Sequence, residues 1–96
     1  LVVDDLQEGS GAVIRAGDQV YLHYVGVNYS TGEEFEASWR KTPFTFKFGS
    51  GEVLDGWEEG LKGMKVGGRR QLIVPSKLAY ETGPLVYVID LLKVVP

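Results

Sequence analysis

The chain has 96 residues, of which 44% are hydrophobic and 24% charged, and its net charge is −3. That length implies one domain, spanning 1–96, with one modest core, and the composition excludes a disordered or collagen-like chain. No basic run exceeds Arg40-Lys41 or Arg69-Arg70, and no apolar run approaches the ~20 residues of a membrane helix, so neither nucleic-acid binding nor membrane insertion is expected.

Cysteine is absent and His23 is the one histidine, which excludes disulfides, thiol catalysis and cysteine-ligated zinc. No metal and no cofactor are expected. The 13 glycines suggest many tight turns, as in an all-β or α+β chain.

In chain order, Leu1-Val2-Val3-Asp4-Asp5 is too short and too acidic for a secretory leader. The cytoplasm is therefore the expected compartment, with export left open because the chain does not start with Met. Val2 to Leu6 reads as a short strand ended by Glu8-Gly9-Ser10-Gly11, and Ala16-Gly17-Asp18 as a turn. From Gln19 to Tyr29 the pattern has period two, with Val20, Leu22 and Tyr24 on one face and Tyr21, His23 and Val25 on the other. Bulk on both faces predicts a central strand covered on both sides. Glu34-Phe35-Glu36 starts a further strand, and Phe44, Phe46 and Phe48 recur at period two in another.

The convincing helix signal follows Gly49-Ser50-Gly51. Asp55 is placed to cap and Glu58 stands three residues on, an acidic version of the capping box. Acidic Glu58 and Glu59 precede basic Lys62 and Lys65, in the sense that complements the helix dipole. Trp57, Leu61 and Met64 form one apolar stripe. Gly60 and Gly63 weaken the helix by up to ~1 kcal/mol each relative to Ala, but let it approach a sheet closely. Gln71 to Val74 and Leu85 to Val95 complete the pattern. The sum is an α+β fold: a twisted antiparallel sheet of five to six strands wrapped around one short helix.

Three motifs have ordinary explanations. Gly49-Ser50-Gly51 begins like a dinucleotide fingerprint, but Leu54 stands where the last glycine belongs. His23 has no G-x-S-x-G partner for nucleophilic catalysis and fits packing or hydrogen bonding better. Glu33, Glu34 and Glu36 suggest a solvated edge more than a glycosidase acid pair. The aromatic inventory is harder to explain: Tyr24, Phe35, Phe44, Phe46, Trp57, Tyr80 and Tyr87 are spread over almost every element. A small core takes some of them, yet the polar tips of Tyr and Trp need partners. An apolar pocket with a few polar handles accounts for them equally well.

Read together, several blocks resemble a known family. They are His23-Tyr24-Val25-Gly26, the run from Gly32 through Phe35 and Glu36 to Ser38, Pro43-Phe44, and the run from Gly51 through Val53, Leu54 and Trp57 to Gly60. Gly63 to Arg70, Leu78-Ala79-Tyr80 and Leu85 to Leu92 continue the series. Over roughly Val2 to Val94 the pattern is similar to FKBP-type peptidyl-prolyl cis/trans isomerases, in particular small bacterial single-domain members. The resemblance implies a pocket with Trp57 as its floor, walls of Tyr24, Phe44 and Tyr87, and Phe35, Val53 and Leu54 completing it. It also implies that the Leu54 N–H and the Tyr80 hydroxyl donate to ligand carbonyls, with the Glu36 carboxylate beside the pocket. Tyr24, Glu36, Leu54, Trp57 and Tyr80 are the expected catalytic residues. The implied partners are proline-containing polypeptides and macrolides such as tacrolimus or rapamycin, bound by a monomer.

The chain departs from that family at three places. Position 36 is Glu where Asp is usual, and position 87 is Tyr where Phe is typical. Only Glu81-Thr82-Gly83-Pro84 join Tyr80 to Leu85, where the family carries a longer, apolar flap. Either the connection is genuinely short, or a mobile flap is missing from the recorded sequence, which an intact mass above that of the 96 residues reveals. The alternatives to an isomerase are a peptide- or macrolide-binding module with weak or no turnover, and a scaffold that pairs through a sheet edge.

Overall fold

Period-two alternation sets the sheet. In the computed structural model, which describes residues 1–39, 41–78 and 83–96, six strands form one antiparallel sheet: β1 (Val2–Gln7), β2 (Gln19–Asn28), β3 (Glu34–Ala37), β4 (Phe44–Lys47), β5 (Arg69–Val74) and β6 (Leu85–Val95). The order is β1-β5-β6-β2-β3, with β4 also paired to β2. Among the described residues a single short helix, α1 (Asp55–Gly60), lies in the connection between β4 and β5, and one 3₁₀ turn covers Ser76–Leu78. The expected α+β arrangement is therefore present.

Val20, Leu22 and Tyr24 of β2 are buried beside Leu72 and Val74 of β5 and Leu85, Tyr87, Ile89 and Leu91 of β6. The helix adds Trp57 and, just beyond its end, Leu61 and Met64. The predicted apolar stripe is thus the contact of helix with sheet. β2 is central, as expected. Its other face is not covered as predicted: Tyr21, His23 and Val25 are only half-buried among the described residues.

Along one edge β2 pairs with β6 for its whole length, from Gln19↔Val95 to Asn28↔Leu85. The other edge is divided, with β4 on Gln19 to Leu22 and β3 on Val25 to Val27. Between them the chain leaves the sheet, and Ser38 fills the vacated ladder positions. Its hydroxyl accepts from the Tyr24 N–H at 2.8 Å, and its own N–H donates to the Tyr24 carbonyl at 3.0 Å. Buried backbone groups need such partners, so this serine holds Tyr24 where the sheet opens.

The helix differs from its predicted ends. Leu54 is the N-cap and makes no side-chain capping bond, while Asp55 is already inside the first turn. The expected capping box does not form because the Glu58 carboxylate turns outward to accept from the N–H groups of Gly49, at 2.8 Å, and Gly51, at 3.2 Å. Nor do Lys62 and Lys65 reach the last turn, since the helix stops at Gly60. Gly60 does allow close approach: a Cβ there would meet Leu72 Cδ2 at 2.7 Å. Gly63 has a different role, because its surroundings are open and its φ of +77° turns the chain out of the helix.

Two arginines tie the far strands. Arg70, buried on the inner face of β5, donates to both Asp5 carboxylate oxygens and to the carbonyls of Gly60 and Lys62. It joins β1, β5 and the end of the helix. Arg69 bonds Asp90 in a fork on the outer face. That hydrogen bond and the charge of Asp90 raise the guanidinium pKa above its ordinary value.

Candidate functional site

The site lies where β2 opens. Trp57, in the first turn of α1, is 4% exposed and forms perpendicular ring contacts with Tyr24 at 5.0 Å, Tyr87 at 5.2 Å and Phe44 at 5.7 Å between centroids. Such T-shaped pairs satisfy the ring quadrupoles and hold each ring in one orientation. Among the described residues the Trp57 Nε1 is the one buried side-chain polar atom with no conventional hydrogen-bond partner. Surrounding rings at right angles are the weak acceptors at hand.

Around these rings is a cavity of about 360 Å³, lined by Tyr24, Glu36, Phe44, Glu52, Val53, Leu54, Trp57 and Tyr87. Seven of the nine residues expected from the sequence therefore line one concavity. Phe35 does not. It packs its ring against Gly26, where a Cβ would come within 2.7 Å, and against Tyr87 at 6.0 Å between centroids, so it backs the wall from outside. Tyr80 lies outside the described residues. Glu52 was not singled out from the sequence; its place directly before Val53 in the chain is the signal that was available.

Local chemistry sets the polar handles. The carbonyl of Leu54 accepts from the N–H groups of Trp57 and Glu58, at 2.9 and 3.2 Å, and so starts the helix. Its N–H has no acceptor among the described residues, and its side chain lines the cavity. The loop before it is pinned twice: by Glu58 on Gly49 and Gly51, and by Glu52, whose carboxylate accepts from the Lys47 N–H at 3.1 Å. Opposite, the Tyr24 hydroxyl donates to the Glu36 carboxylate. The longer glutamate thus still brings its charge to the cavity wall.

His23 is absorbed by structure, with Nδ1 at 2.9 Å from the Ser38 hydroxyl and its ring stacked on Trp39. Among the described residues no group of three or more His, Asp or Glu could hold a metal ion, and no helix is long and apolar enough to cross a membrane. The arrangement offers an apolar, aromatic concavity with the Leu54 N–H unengaged by any described residue and the carboxylates of Glu36 and Glu52 in its lining. It suits a short apolar ligand with carbonyl acceptors.

Residues 11–90 match the family of FKBP-type peptidyl-prolyl cis-trans isomerases. The chain belongs to that family. It is similar to an FK506-binding protein of Streptomyces anulatus, 58% identical over 83% of this chain and 65% of the relative. It therefore spans just under two thirds of that relative's length. A probable FK506-binding protein of Corynebacterium glutamicum is 46% identical over 97% of this chain and 86% of the relative. That match runs over 104 positions, so the relative carries residues within the matched span that this FKBP-type chain lacks. Among solved structures, FkpA from Escherichia coli superposes with a TM-score of 0.86 at 34% identity, covering 98% of this chain and 47% of FkpA.

Proposed function

We propose that the Trp57 cavity binds proline-containing polypeptides and accelerates cis/trans rotation about their X–Pro bonds. The observation that carries this reading is the buried Trp57 floor, walled at right angles by Tyr24, Phe44 and Tyr87 and opening beside the unengaged Leu54 N–H. An X–Pro bond rotates slowly because amide resonance gives it partial double-bond character, with a barrier of ~18–20 kcal/mol. Resonance polarises the planar amide and is lost when the bond twists. An apolar cavity that strips water from the carbonyl therefore disfavours the planar form relative to the twisted one. Donation from the Leu54 N–H to a carbonyl flanking the twisted bond holds that form preferentially. No nucleophile is called for.

By the same shape and the same N–H, the cavity accepts the pipecolyl-type ring of macrolides such as tacrolimus. The protein acts as a monomer and a single domain in this reading. The test is the relaxation rate of an X–Pro peptide with and without the protein, and with tacrolimus as competitor. Acceleration blocked by the macrolide supports the isomerase; macrolide binding without acceleration selects a binding module instead.

A further inference from the structure

A second cavity, of about 500 Å³, wraps the open edge of β3. Its walls include Glu34, Phe35, Glu36, Trp39 and Lys41. Glu36 also lines the Trp57 cavity, so the two share a wall. We propose that this second cavity is a subsite for a basic side chain of the bound polypeptide, Lys or Arg, close to its X–Pro bond. The proposal rests on the isomerase reading and adds a specificity to it.

Charge and aromatic surface occur there together. Glu34 is exposed, and neither it nor Glu36 takes part in an ion pair among the described residues. Among the described lining residues Lys41 is the one cation and pairs with neither, so two carboxylates stand beside a single ammonium there. Trp39 is 48% exposed, yet its ring is fixed by stacking on His23, 4.5 Å between centroids and 21° from parallel. Phe35 is 39% exposed. Charged residues on an edge strand are ordinarily guards against edge-to-edge pairing. That accounts for the glutamates, but a guarded edge does not expose a fixed indole and a phenyl ring beside them. Carboxylates next to an aromatic face are what an ammonium or guanidinium on a long apolar stem prefers, through charge-assisted bonds, cation–π contact and burial of the stem. An extended chain advances ~3.3 Å per residue, so a residue within about three positions of the proline reaches past Glu36.

The experiment measures kcat/KM for isomerisation of an alanine-based X–Pro peptide, with Lys or Glu placed in turn at each of three positions on either side of the proline. The wild-type chain is compared with Glu34→Gln and Trp39→Ala, which lie outside the Trp57 cavity. At one position or more, Lys is expected to exceed Glu by about fivefold. The preference should shrink to below about twofold in either variant, with the rate on the all-alanine peptide unchanged, and should weaken in 1 M salt. A Lys-to-Glu ratio below twofold at every position, beside normal turnover of the all-alanine peptide, overturns the subsite alone. So does a preference that survives both variants, which would belong to the net charge of the whole chain. No acceleration of any peptide, the all-alanine one included, overturns the isomerase reading and the subsite with it.

Discussion

Trp57 and Tyr24 meet edge to face, with ring centroids 5.0 Å apart and planes 78° apart. One belongs to the helix and the other to the central strand, so this contact fixes the depth of the cavity. Trp57→Ala removes the floor and should abolish both tacrolimus affinity and rate acceleration. Because truncating a buried Trp costs ~3–5 kcal/mol of stability, Trp57→Phe is the companion variant. It should stay folded by circular dichroism and retain weakened binding in a calorimetric titration. Unchanged affinity in Trp57→Ala would mean that the ligand sits elsewhere.

The Tyr24 hydroxyl holds the Glu36 carboxylate at the cavity wall. Tyr24→Phe keeps the ring contacts and frees the carboxylate. The expected result is a several-fold loss of kcat/KM and a stability change within ~1 kcal/mol. Denaturant titration beside the rate assay separates the two; a large loss of stability with an unaltered rate would assign the bond to folding alone.

Ser38 stands in for a missing strand at Tyr24. In Ser38→Ala the buried Tyr24 N–H loses its acceptor, and stability should fall by ~1–3 kcal/mol in urea unfolding. A neutral substitution would show that water or a shifted backbone replaces the hydroxyl.

Gly56 opposes helix propensity to packing. Propensity alone makes Gly→Ala inside a helix favourable by ~1 kcal/mol. A Cβ at 56, however, would lie 2.4 Å from Val74 Cγ1 and 3.3 Å from the Leu78 carbonyl. Overpacking of this kind costs ~1–3 kcal/mol, so Gly56→Ala should lower the unfolding free energy. A gain would show that Val74 yields.

How far the sequence revealed this architecture depended on the range of the interactions. Period-two burial on β2, the existence of β5 and β6, and the Trp57-Leu61-Met64 stripe were legible, because each is decided by one element facing one core. The helix ends were not. Asp55 and Glu58 have the spacing of a cap, but Glu58 is claimed by Gly49 and Gly51, residues that only the loop brings near. Gly60 and Gly63 look alike in sequence, yet one faces Leu72 and the other turns the chain. Seven residues of the cavity followed from the resemblance, not from periodicity. Phe35 is the residue passed over where the β2–β3 register shifts between Gly26 and Val27, an irregularity that no local pattern announces. Nothing local to Ser38 announces its bonds to Tyr24, which depend on where β3 gives way to β4.

The most direct test of the central claim is exchange NMR on a proline-containing tetrapeptide with a small fraction of an equivalent of the protein. Cis–trans exchange peaks should appear on a timescale of seconds or less, against the tens to hundreds of seconds of the free peptide, and should vanish with equimolar tacrolimus or in Trp57→Ala. Exchange that stays at the uncatalysed rate, or that persists in Trp57→Ala shown to be folded, would contradict catalysis at the Trp57 cavity.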